Sequence, residues 1–126
     1  DAPAYLEMIG AEFASHGDQA TADVRVETAA HPATTGLPNP WRVHDELYEF
    51  FASPRPSSTI LLSLDRHPAD GHPGAGESGD SPLAWFRAFG TGRVFYTALG
   101  HRDDVWTSAT FRQHLRGAIE WASQGP

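Results

Sequence analysis

The chain has 126 residues, 40% of them hydrophobic, and a formal charge of −7 from 16 acidic residues against nine arginines and no lysine. This length fits one domain spanning 1–126, and four Trp with seven Phe exclude a disordered chain. The acidic balance speaks against a general binder of nucleic acid or anionic membrane, which needs a basic face.

The absence of cysteine removes disulfides, thiolate zinc sites and a cysteine nucleophile from these residues. No apolar run approaches a membrane span and no signal peptide is visible. The expected compartment is the cytoplasm, with secretion as the alternative. The first residue is Asp1 rather than Met, as in a processed chain or one cut from something longer.

Residues 1–15 read as a short helix, capped by Asp1, with Pro3 in its first turn and Leu6, Ile9 and Phe13 as its stripe. His16-Gly17-Asp18 is expected to end it. Residues 21–28 alternate, with Ala22, Val24 and Val26 on the inner face of a half-buried strand. Residues 31–38 form a turn-rich connector. Residues 41–51 read as a strand with Val43, Asp45, Leu47 and Glu49 on one face and His44, Glu46, Tyr48 and Phe50 on the other, with a helix as the alternative.

After a proline-containing loop, residues 59–64 form a strongly apolar strand. Residues 66–82 hold glycines, three prolines and no large apolar side chain, and are expected to be a mobile surface loop in which His67 and His72 are solvated. Residues 83–89 form a strand joined through Gly90-Thr91-Gly92 to the next. Ser108 caps a last helix over 109–123, whose expected buried stripe is Phe111, Leu115, Ile119 and Ala122, with His114 toward its polar side.

The run Gly92–His101 carries the first chemical candidate. Val94 to Leu99 is branched and aromatic without charge, which predicts a strand buried on both faces. Gly100 permits a tight turn, and His101 follows it. In an open α/β sheet ligands lie beyond the carboxyl ends of strands, which points to His101; a histidine that merely packs the turn is the alternative. His44, Asp45 and Glu46 put three titratable groups in a row, with Tyr48 close behind. Glu46 can serve as a general base or accept from a ligand's hydroxyls, whereas a solvated or salt-bridged strand is the plainer explanation.

None of the seven histidines falls in a His-x-His, His-x-x-x-His or His-Glu-x-x-His pattern, so no cofactor is expected. A metal gathered at a strand end by His31, His44 and His101 is the lesser alternative. No nucleophile elbow, phosphate loop or dinucleotide fingerprint is present, and Gly74-Ala75-Gly76 follows no strand and opens no helix. Trp85 and Tyr48 are of the type that stacks on a sugar ring, although aromatics at strand spacing also serve as core. Asp80-Ser81 would place hydroxyl-binding groups nearby.

Three pieces occur in one order: His31-Pro32 with Gly36-Leu37-Pro38, then Asp45-Glu46-Leu47-Tyr48, then Leu83-Ala84-Trp85 followed by Gly92–His101 and the Phe111–Trp121 helix. This set resembles the second half of the trehalose-utilisation (ThuA-like) family and covers nearly all of the chain. The resemblance implies an α/β fold, a flavodoxin-like sandwich of the class I glutamine amidotransferase type, here lacking its first strands. It also implies a role in sugar catabolism, on trehalose or related, including oxidised, disaccharides. It raises Glu46 above Asp45 and matches Trp85 to an Ala-Trp pair.

Two departures stand out: Ser81 where the family usually has His, and Leu47 where it often has Trp. The residues expected to carry function are therefore His101 and Glu46 as the catalytic pair. Asp45, Tyr48, Trp85, His31 and His44 are expected to bind a small-molecule sugar, and self-association is left open. A non-catalytic carbohydrate-binding or protein-interaction module is the second hypothesis. An amidotransferase relative is the third, and it requires a cysteine outside these residues.

Overall fold

The computed structural model describes residues 2–68 and 79–124. The chain order is α1 (Pro3–Ile9), β1 (Phe13–His16), β2 (Ala20–Val26), β3 (Trp41–Asp45), β4 (Tyr48–Phe50), β5 (Thr59–Leu64), β6 (Ser81–Phe89), β7 (Gly92–Thr97), α2 (Asp103–Thr107) and α3 (Ala109–Ser123). Among the described residues no helix is long and apolar enough to cross a membrane.

Five strands form one sheet in the order β3-β2-β5-β6-β7, and β1 pairs with β4 in a separate ribbon. The fold is mixed α/β, and every strand pair described is antiparallel. The two-residue link Gly90-Thr91 forces this for β6 and β7, because parallel neighbours need a crossover of a dozen or more residues. The alternation makes β3, β5 and β7 run the same way, so their carboxyl ends meet at one end of the sheet.

The central strands β5 and β6 are buried on both faces from Ile60 to Leu64 and from Ser81 to Trp85. Side chains alternate across the sheet as the period of two requires. Phe86, Phe95 and Thr97 face α3, where they meet Trp121 and His114. Trp85 and Arg87 face α1, donating hydrogen bonds to the carbonyls of Ile9 (2.7 Å) and Glu7 (3.0 Å). Trp85 stacks on Tyr96 at 4.4 Å. Burial pushes the Tyr96 hydroxyl up to about 12, with Tyr5 and Tyr48 adding to the shift.

Several expected elements differ. The first helix stops at Gly10, whose φ of 84° ends it in a left-handed cap, and Ala2 rather than Asp1 precedes it. Phe13–His16 is a strand instead, because β4 offers it a partner. The expected single strand over 41–51 breaks at Glu46-Leu47 into β3 and β4. The strand β7 is half-buried rather than buried on both faces, since it lies at the sheet's edge and ends at Thr97.

On α3 the buried residues are Phe111, His114, Gly117 and Ala118, while Ile119 is 67% exposed and Ala122 is exposed. The buried face is thus turned away from the expected stripe. Most of the 66–82 loop lies outside the described residues, His72 included. His67 is buried rather than solvated, with Nε2 3.0 Å from Glu49. Asp80 is held by Arg55, which also grips Glu27 with two further hydrogen bonds of 2.7 and 2.9 Å. That guanidinium holds the Glu27 carboxyl down to about 2.

His114 is fully buried among Trp41, Phe95 and Phe111. Its Nδ1 lies 2.7 Å from the Ala33 carbonyl, so Nδ1–H donates, and Nε2 accepts from Thr97 Oγ1 at 3.3 Å. Burial pushes its pKa down from 6.5 to about 4. The folded state therefore refuses a proton that the unfolded chain takes up. Stability is complete above pH about 6.5 and is lost as pH falls toward about 4. Denaturant titrations at pH 7 and pH 5 should differ by about 2 kcal/mol. His114→Gln, which keeps a donor for Ala33, should flatten most of that difference. His31, also lowered by burial, contributes in the same sense. A wild-type protein equally stable at both values would overturn the assignment.

Candidate functional site

In a flat five-stranded sheet β3 and β7 would lie roughly 19 Å apart, at about 4.8 Å per strand spacing. Here Asp45 at the end of β3 accepts a hydrogen bond from Gly100 beyond β7 at 2.6 Å. The three residues from Thr97 to Gly100 reach at most about 10 Å. The sheet therefore curls so that the carboxyl ends of its outer strands meet, and the site forms where they do.

Asp45 is buried, and its carboxylate accepts hydrogen bonds from four main-chain amides. Oδ1 accepts from the N–H groups of Glu46 (3.0 Å), His101 (3.1 Å) and Arg102 (3.2 Å), and Oδ2 from that of Gly100. Gly100 has a φ of 106°, and its carbonyl accepts from Trp106 Nε1 at 2.7 Å. The turn before His101 is thus held from both sides. His101 Nε2 lies 3.2 Å from Glu46 Oε2, and His16 Nε2 lies 3.5 Å from Glu46 Oε1. The Glu46 side chain is 12% exposed and the two imidazoles 43% and 42%, so the carboxylate sits inside and the rings face water.

A cleft of about 420 Å³ opens beside His101, lined by Gln19, Arg102, Asp103 and Asp104. Arg102 is committed to its rim: Nη1 donates to Gln19 at 2.5 Å, and Nε and Nη2 to Asp104 at 2.9 and 3.0 Å. Tyr48 packs edge-on against Phe13 at 4.8 Å and lies 6.1 Å from the His16 ring. Burial raises its hydroxyl above the usual value, and the charges of Glu46 and Asp45 add to that.

Of the residues expected to act together, the structure gathers Glu46, His101, Asp45 and Tyr48. The others are elsewhere. Trp85 is wholly buried against Tyr96 and Phe50 and is core rather than a sugar platform. His31 is buried between Phe86 (4.6 Å) and Trp121 (5.0 Å), its Nδ1 accepting from the Ala33 amide, so it is core as well. His44 projects from the opposite face of β3 to Asp45 and meets Thr21 Oγ1 at 2.8 Å. Asp45 is wholly buried and its carboxylate is turned to four main-chain amides, so it is closed to a sugar hydroxyl.

Among the described residues no three His, Cys, Asp or Glu side chains are placed to hold a metal ion, so His31, His44 and His101 do not form one centre. Sequence reasoning missed His16, assigned to a helix end. Its place opposite Tyr48 comes from the β1–β4 pairing, which no local pattern announces.

A family model described as ThuA, trehalose utilisation, matches residues 1–122. The chain belongs to the ThuA family. Two solved ThuA-like proteins share its fold. One from Bacteroides uniformis ATCC 8492 is 24% identical with a TM-score of 0.74, over 98% of this chain and 52% of that one. Another from Parabacteroides merdae ATCC 43184 is 30% identical with a TM-score of 0.65, over 87% of this chain and 40% of that one. This ThuA chain therefore spans about half the length of the solved relatives or less. No curated protein matches it.

Proposed function

We propose that this ThuA-family chain binds an uncharged sugar, trehalose or a related disaccharide including an oxidised one, at the end of the sheet where β3 and β7 meet. Glu46 and His101 work there as an acid–base pair, with His16 as a third group on the same carboxylate. The observation that carries this is the contact of one carboxylate with two imidazoles, drawn from three separate connections. A carboxylate accepts, and an imidazole accepts or donates. The set can therefore grip hydroxyls or move a proton between them. No cofactor enters this reading. The whole domain of the family is, in the same reading, a flavodoxin-like sandwich of the glutamine amidotransferase type, to which this chain contributes the antiparallel part, in the cytoplasm.

Glu46→Gln and His101→Ala in the full-length protein should each lower trehalose turnover or affinity at least about tenfold, equivalent to about 1.4 kcal/mol. Their melting temperatures should stay near the wild type's, since the His101 ring is 42% exposed and Glu46→Gln keeps the side chain's shape beside two exposed rings. Full activity in both variants would reject the assignment. The exposure of both imidazoles favours a second reading, a binding module without turnover, because catalytic sites generally exclude water. Saturable trehalose binding with no product formed would decide for it.

A further inference from the structure

We infer that Asp45 is the positioning residue of this site: its buried carboxylate fixes Glu46 relative to His101, and it takes no part in contacting the sugar. The inference rests on the reading just given and deepens it. Asp45 is wholly buried, and its carboxylate accepts four main-chain N–H groups, three on Oδ1 from Glu46, His101 and Arg102 and one on Oδ2 from Gly100. Glu46 and His101 donate to the same oxygen, Oδ1, at 3.0 and 3.1 Å.

The two working residues are thus tied through their own amides to one atom, which sets where their side chains begin. The 3.2 Å contact between the carboxylate and the imidazole is set up by that tie. A carboxylate suits the role better than an amide. Hydrogen bonds to a charged acceptor are roughly twice as strong as neutral ones, and an asparagine would turn an N–H donor toward at least one of the four amides. The connection is long-range, joining β3 to the turn after β7, residues more than fifty positions apart. Trp106 holds the Gly100 carbonyl, and with it the peptide plane that carries the His101 N–H, but it does not reach the Glu46 amide, which Asp45 alone ties to that of His101 among the hydrogen bonds described.

The test is Asp45→Asn in the full-length protein, beside Ile60→Val as a remote core change. Amide exchange at Gly100, His101 and Arg102 should quicken at least about tenfold in Asp45→Asn while β5 and β6 stay protected. Trehalose affinity should fall to that of His101→Ala, and adding His101→Ala to Asp45→Asn should cause no further loss. Ile60→Val should keep wild-type affinity.

Affinity retained in Asp45→Asn despite the quickened exchange would overturn the inference, as would exchange that quickens evenly through the sheet. If trehalose does not bind the wild type at all, the sugar reading fails but the positioning does not. The imidazole resonances of His101 should then still move on Glu46→Gln in the wild type and stay still when the same change is made on top of Asp45→Asn. Movement of equal size in both would reject the positioning role. If Asp45→Asn does not fold, exchange in the wild type decides: the three amides should be as slow as those of β6, and fast exchange would overturn the inference.

Discussion

Gly117→Ala should destabilise the chain by about 3 kcal/mol or more, a large share of the roughly 5–15 kcal/mol that holds a domain folded. A methyl group at this position of α3 would overlap the carbonyl carbon and oxygen of Pro32 and stand 2.7 Å from the Ala33 nitrogen. All three are main-chain atoms, so no side chain can swing aside, and either the helix or the 31–38 turn must move. Moving that turn also draws the Ala33 carbonyl away from His114, which would strand a buried imidazole donor. Helix propensity works the other way, favouring alanine over glycine by about 1 kcal/mol. The clash and the lost hydrogen bond outweigh it. Urea titration followed by circular dichroism measures the net effect. A variant as stable as the wild type, or more so, would show that α3 does not approach the turn this closely.

The sequence carried the local part of this fold. The alternation Ala22, Val24, Val26 gave β2, the run Ile60–Leu64 gave β5, the Gly90-Thr91-Gly92 turn gave the β6–β7 hairpin, and Ser108 marked the start of α3, where its hydroxyl accepts from Phe111 N–H at 3.4 Å. What it did not carry depends on partners distant in the chain. The helix expected over 1–15 ends early because Phe13 to His16 finds β4, more than thirty residues away. Trp85 and His31 were of residue types that suit a sugar site, but β6 is covered on both faces, so neither of its alternating sets reaches ligand.

Helical spacing predicts a purely apolar stripe on α3, and a histidine that satisfies both ring nitrogens inside the core breaks that pattern. At the site, Glu46 and His101 were legible as strand-end residues. Their meeting across the sheet was not, since it needs the curl and the Asp45 tie. The family match gives no closer account of that tie, because it reports likeness along the chain rather than contact across it.

Phe111→Ala should cost about 3–5 kcal/mol, the range for emptying a phenylalanine site in a packed core. Phe111 is wholly buried at the start of α3, edge-on to Trp106 at 5.2 Å and near His114 at 6.3 Å. Its ring also lies directly beneath the turn that bears His101: a methyl group built on Gly100 would stand 3.0 Å from the Phe111 Cζ. Truncation therefore opens a cavity under that turn and removes the support against which Trp106 holds the Gly100 carbonyl. Phe111→Leu keeps most of the volume and should cost less. The denaturant midpoint should fall with little change in slope, as for a loss of stability without a change in the surface exposed on unfolding. Amide exchange at Gly100 and His101 should quicken more than at β2, which lies across the sheet. A loss below about 1 kcal/mol would mean that the ring is not packed as described. The turn would then owe its shape to Asp45 and Trp106 alone.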